Sequence, residues 1–225
     1  MKIIALLCLG AAAPSSLAAE NVPLPQVQAG DEWVYNELDG YNKRLRAVRR
    51  YEVAAKDEAG IRVRVTAGES DSDAAYTAEW NPLIAATAYG VAFKYSPAYP
   101  AYMFPLEVGK TWRIETTAID PASGRKIPLK IHAKVVGRER IKVAAGEFDT
   151  LKIVREVYAA DSEWWRSATR IRETEWYSPK VQRTVRQRWG SEYYDETRTE
   201  DPLVLGDRTE LELVSYRIAA PVTSN

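Results

Sequence analysis

Groups able to move protons, hold metals or attack a substrate are scarce in these 225 residues. The single histidine, His132, sits in Leu129-Lys130-Ile131-His132-Ala133-Lys134-Val135, on the same side as Lys130 and Lys134. That alternation makes it an outward or half-covered strand side chain rather than a catalytic base. The single cysteine, Cys8, lies in an apolar run near the N-terminus. With one imidazole and no thiolate in the mature chain, a zinc site would need carboxylates almost alone, which suits calcium better. Glu69-Ser70-Asp71-Ser72-Asp73 alternates oxygens but lacks the glycine and terminal glutamate of a calcium loop, so it reads as a solvated turn. No Gly-x-Ser-x-Gly marks a nucleophile elbow. Glu79 and Glu175 each precede a tryptophan, as glycosidase carboxylates can. A glutamate beside a core tryptophan on a strand, however, is expected to point outward and pair with arginine. The expectation is a protein without enzymatic activity, catalytic residue, metal or cofactor.

Binding chemistry is better represented, with seven Trp and thirteen Tyr. In Tyr95-Ser96-Pro97-Ala98-Tyr99-Pro100-Ala101-Tyr102-Met103-Phe104-Pro105, three prolines in nine residues forbid a central strand or helix interior. This segment is expected to be an extended crossover carrying Tyr95, Tyr99, Tyr102 and Phe104 across a sheet edge or face, as an aromatic plug or a lid over a cavity. Trp164 and Trp165 read as neighbours on a strand, with at least one exposed to meet sugar, lipid or protein. These six aromatics are the candidate ligand-binding residues.

The elements that must position them are strands. Ile61, Val63 and Val65 alternate with arginines; Trp112, Ile114, Thr116 and Ala118 with charged or polar neighbours; Val181, Val185 and Trp189 with basic residues. Leu211 and Leu213 alternate with Glu210 and Glu212. Period two is the mark of an antiparallel sheet with one wet face. Turn chemistry at Asp39-Gly40, Glu58-Ala59-Gly60, Pro121-Ala122-Ser123-Gly124, Ala144-Ala145-Gly146 and Leu205-Gly206-Asp207 separates the runs. The least strand-like stretch, Leu83 to Ala92, has room for a short helical turn.

A weak repeat relates Gly30-Asp31-Glu32-Trp33 to Gly109-Lys110-Thr111-Trp112, and Glu79-Trp80-Asn81-Pro82 to Glu175-Trp176-Tyr177-Ser178-Pro179. The predicted fold is all-β and antiparallel: two related meanders, about 27–95 and 106–218, forming a curved sheet, a sandwich or an open barrel within a single domain at 20–225. Later motifs carry a resemblance. Phe104-Pro105-Leu106-Glu107-Val108-Gly109-Lys110-Thr111-Trp112, then Val136-Gly137-Arg138-Glu139, Val143 to Ile153 and Glu175 to Val185 follow one another in order. Over roughly residues 100 to 190 the chain resembles the exported bacterial proteins grouped as domain-of-unknown-function family 3108 and their TapB-like relatives. The resemblance implies an exported antiparallel β fold without known enzymatic activity, and it supplies no site residue. Physically those motifs read as fold determinants, with Gly109 and Gly146 in turns and Phe148, Leu151 and Ile153 seating a strand in the core.

Residues 1–19 read as a cleaved signal peptide. Lys2 precedes the apolar Ile3 to Ala13, and small residues follow to Ala18 and Ala19. Eleven apolar residues are too few for a membrane helix, which needs about 20. Leu7 before Cys8 argues against lipidation. The expected location is periplasmic or secreted. Of 31 basic and 31 acidic residues, cleavage removes one base and leaves a net charge of −1, with no drive toward nucleic acid. Basic residues from 163 to 190 face acidic ones from 191 to 212, and cross-strand pairing is expected to neutralise both. Arg and Glu at both parities of 170–176 and 181–189 exclude the lipid-facing band of an outer-membrane barrel. Two functions remain: a binding module for a lipid, glycan or other small ligand on an aromatic-lined face, or an envelope assembly protein recognising other proteins through exposed strand edges.

Overall fold

The computed structural model describes residues 21–86, 92–160 and 163–219; the signal segment and Cys8 lie outside them. Twelve strands follow one another: β1 (Glu32–Asp39), β2 (Leu45–Asp57), β3 (Gly60–Ala67), β4 (Ser70–Tyr76), β5 (Pro82–Ala86), β6 (Ala92–Ser96), β7 (Thr111–Ile119), β8 (Lys126–Val143), β9 (Gly146–Ala159), β10 (Arg166–Ser178), β11 (Arg183–Asp195) and β12 (Leu203–Arg217). Each pairs antiparallel with its sequence neighbour, and β1 also pairs with β12 from Glu32↔Arg217 to Asp39↔Thr209. Of the three forms the alternation allows, the chain adopts the barrel, and that barrel is closed.

Closure corrects one expectation. An assembly role through exposed strand edges loses its basis, because the ladder returns to its start and every strand has two partners. In the stretch with room for a helical turn, Leu83 to Ala86 are strand, within β5; residues 87–91 lie outside the described set. The wall is uneven: β8 and β9 share a long hairpin, whereas among the described residues β4–β5, β5–β6 and β6–β7 are joined by two or three residue pairs each.

The alternation resolves into an apolar inside and a charged outside. Trp33, Val53, Ile61, Val63, Ile131, Val135, Ile153 and Leu213 are almost fully buried. Outside, Arg50 pairs with Glu32, Arg172 with Glu156, and Lys130 with Glu115. A membrane barrel has an apolar band on its outer wall, and ion pairs occupy that wall here. The opposed basic and acidic segments meet as expected, with Arg186 to Glu212 at 2.6 Å and Arg188 to Glu210 at 3.3 Å. No described helix is long and apolar enough to cross a membrane.

Glycines act where the chain must bend sharply. Gly60 has φ 132°, and a Cβ there would lie 2.2 Å from the Tyr76 carbonyl oxygen, so the β2–β3 turn admits no side chain. Gly30 and Gly109, just before β1 and β7, share a positive φ of 89° and 93°. Phe148, Leu151 and Ile153 are buried. Tyr177 and Ser178 end β10, and β11 starts at Arg183, two residues later than Val181 suggests.

Candidate functional site: the barrel interior

The crossover between β6 and β7 does not run across a sheet edge or face; it dips into the barrel. Thr116 donates to the Pro97 carbonyl, Trp112 Nε1 to Pro100 at 2.9 Å, and Arg155 Nη1 to Ala101 at 3.0 Å. Asn81 grips Tyr102 from both sides, its Oδ1 accepting from the Tyr102 amide at 2.8 Å and its Nδ2 donating to the Tyr102 carbonyl at 3.1 Å. Proline-rich backbone has few amides to satisfy, which lets it traverse an interior that no sheet ladder reaches.

Beside this segment lies a cavity of about 280 Å³. Its lining includes Glu37, Arg49, Ile171 and Trp189 together with Tyr35, Trp80, Tyr102 and Arg183. Six charged residues line the cavity, three of each sign: Glu37, Glu173 and Glu175 against Arg49, Arg155 and Arg183. Glu37 is bonded to Arg49. Arg155, 1% exposed, donates through Nε to Glu173 at 2.6 Å and through Nη2 to Glu175. Tyr99 donates to Glu173 at 2.9 Å, and Tyr102 and Thr184 both donate to Glu175. Burial, reinforced by Glu173 and Glu175, holds the Tyr99 and Tyr102 hydroxyls well above the usual tyrosine range. Both remain protonated donors at any physiological pH.

Arg183 is treated differently. Its guanidinium carbon stands 4.5 Å from the ring centroids of Tyr51 and Trp80, 5.2 Å from Trp33 and 5.7 Å from Tyr76. The rings hold one another edge to face, Trp33 on Trp80 at 5.6 Å and Tyr76 on Trp80 at 5.1 Å. Its Nη1 is shielded from solvent and has no hydrogen-bond partner.

The candidate aromatics fare unequally. Tyr99 and Tyr102 line the cavity, as does Tyr95, which belongs to β6 rather than the crossover. Phe104 packs on Tyr102 and Tyr177 as part of the core, outside the cavity lining. Trp164 and Trp165 sit in the turn before β10, not on a strand. Trp164 is 83% exposed, while Trp165 packs edge-on against Tyr193 at 5.8 Å. Neither belongs to the lining of this cavity.

Glu175 inverts its expected place. It faces inward, whereas Trp176 faces outward, donating to Glu139 at 2.7 Å beneath Lys152 and Arg188. Glu79 stands in the turn before β5 and does not join Glu175 in the cavity. His132 lies on β8 against the Tyr158 ring at 5.5 Å. Reading from the sequence missed Arg155 and Arg183. A signal was available: the buried Arg155 is in phase with buried Ile153 and Val157, and the partly buried Arg183 with buried Val181 and Val185. A charge in phase with a core stripe must find a buried partner or a cavity.

On the outer face of β10–β12, a groove of about 490 Å³ holds Lys43, Arg170, Arg172, Arg188 and Arg208. Glu156, Glu192 and Glu210 pair with the first four, and Arg208 stacks on Tyr41. The basic run at 43–50 is likewise dispersed: Arg46 goes to Asp39 and Asp207, Arg49 to the interior.

No protein-family model and no curated protein matches the chain. Two solved structures do. One, from Parabacteroides distasonis and classed as a lipoprotein, aligns over 88% of this chain and 100% of its own with a TM-score of 0.50 at 18% identity. Another, from Bacteroides fragilis and classed as an exported protein with a YmcC-like fold, aligns over 89% and 100% with a TM-score of 0.48 at 14% identity. The first likeness establishes a shared fold.

Proposed function

We propose that this chain is an exported, non-enzymatic barrel that holds a small ligand in its interior. The observation carrying the reading is the cavity itself: about 280 Å³, walled by aromatic rings and floored by the chain's own crossover. That volume is close to the lower bound of about 300 Å³ for ligand sites, which favours a small molecule over a whole phospholipid or glycan chain. Export is supported by the N-terminal segment at 1–19, by the motif resemblance over 100–190, and by the class of the lipoprotein that shares the fold. The absence of enzymatic chemistry is supported by the engagement of Glu173 and Glu175 with Arg155 and neighbouring hydroxyls, which leaves neither side chain free for a substrate. Native mass spectrometry of protein purified gently from its own envelope tests the binding reading. A mass excess that disappears on denaturation is expected, and a bare chain mass across repeated preparations would oppose it.

A second reading rests on Trp164, whose 83% exposure is unusual for tryptophan and suits an envelope protein partner. It predicts a co-purifying protein that Trp164→Ala releases; an unchanged pull-down would oppose it.

A further inference from the structure

We infer that Arg183 is an anion anchor, and that the ligand is a small amphiphile with a carboxylate or phosphate head on an apolar body. This rests on the cavity-binding reading and specifies its ligand class.

Three features of the interior converge on it. Every carboxylate lining the cavity is committed elsewhere, Glu37 to Arg49 and Glu173 and Glu175 to Arg155. The cluster around Arg155 has one carboxylate in excess, but Tyr99, Tyr102 and Thr184 cap it with hydroxyl donors rather than Arg183. Arg183 therefore has the Tyr35 hydroxyl as a side-chain partner and otherwise lies against four ring faces, which attract a cation but accept few hydrogen bonds, and its Nη1 proton donors stay unused.

A guanidinium presents a planar fork that matches the oxygens of a carboxylate or phosphate. A head seated on Arg183 would use the idle Nη1 and exchange no existing ion pair. Its body would then lie along Leu129, Val157, Ile171 and Leu211, apolar side chains of the same lining. A headless apolar molecule would fill the same wall but leave Nη1 unpaired. A free inorganic anion would satisfy Arg183 but leave the wall empty.

The test uses the purified chain and four probes: octanoate, octyl phosphate, 1-octanol and inorganic phosphate. Binding is read by calorimetry and by the fluorescence of Trp80 and Trp189 in the lining. Octanoate and octyl phosphate are expected to bind at least ten-fold more tightly than octanol. In Arg183→Met that preference should shrink below two-fold while octanol binding persists, which also shows the variant folded. Octanol equal to octanoate in the wild type would overturn the anchor and leave the binding reading standing. An anion preference that survives Arg183→Met would overturn the anchor as well. Inorganic phosphate binding as tightly as octyl phosphate would overturn the amphiphile. No response to any probe would overturn anchor and binding reading together.

Discussion

Two arginines, Arg155 and Arg183, face the same barrel interior, and the fold handles them in opposite ways. Arg155 carries two carboxylates and a crossover carbonyl on its guanidinium. Arg183 is boxed by Trp33, Tyr51, Tyr76 and Trp80. The first arrangement is complete: Arg155 holds both carboxylates, and hydroxyls of Tyr99, Tyr102 and Thr184 cap the one in excess. The second is incomplete, since ring faces hold a cation without saturating its protons. A saturated buried charge ties elements together, whereas an unsaturated one beside a cavity leaves chemistry available to something else.

Removing each arginine should separate the two roles. Arg155→Leu strands Glu173 and Glu175 inside the barrel, and denaturant unfolding is expected to show a loss of about 3–5 kcal/mol. A loss below about 1 kcal/mol would mean the cluster is not structural.

Alkaline pH attacks the other centre. Burial, with a smaller contribution from Tyr76 and against the lowering effect of Arg183, pushes the Tyr51 hydroxyl up to about 12 from the ordinary 10. The folded state thus retains a proton that the unfolded chain releases. Stability from this group is complete below pH 10 and declines as pH rises toward 12, by about 1.4 kcal/mol per unit. Tyr51→Phe should flatten that limb in a pH series of urea midpoints; an identical slope would count against it.

Tyr102→Phe removes one hydroxyl donor from Glu175, and about 1.5–3 kcal/mol should be lost by the same denaturation assay. Arg183→Met gives up ring–cation attraction but also removes an unpaired buried donor, so the two effects nearly offset. Its midpoint should stay within about 1 kcal/mol of wild type, and a loss as large as that of Arg155→Leu would erase the contrast. Smallest is Trp164→Ala, on an exposed turn outside both centres. A change within about 0.5 kcal/mol is expected, and a larger one would give that turn a structural role.

Much of the wall was legible along the chain. The parity of Ile61-Val63-Val65 and of Ile131, Ala133 and Val135 predicts which side chains face inward, because a strand places alternate residues on opposite faces. The ion pairing of β11 with β12 followed from the opposed charge of adjoining segments. The site was far less legible. The Tyr–Pro segment is recognisable as neither strand nor helix, but its path into the lumen depends on Arg155, Trp112 and Asn81, which lie on distant elements or turns. Trp164-Trp165 read as strand because aromatic pairs favour sheets, and the turn at 163–165 overrode that propensity. Glu175 and Trp176 exchanged their expected faces because β10 is in phase with Ile171 and Tyr177, and the interior offered Glu175 an arginine.

By itself, the sequence determined the secondary structure, the antiparallel pairing of neighbours and the division into wet and dry faces. These depend on side-chain period and turn residues that are local in the chain. Only the tertiary structure decided that the sheet closes on itself, that the crossover is drawn inside, and that Arg155 meets its carboxylates while Arg183 meets rings. These are long-range events: β1 finds β12, and β11 brings Arg183 to the tryptophans of β1 and the β4–β5 turn. Whether a buried charge is saturated depends on which distant groups closure brings within about 3 Å of it, and that distance is not written in any local pattern.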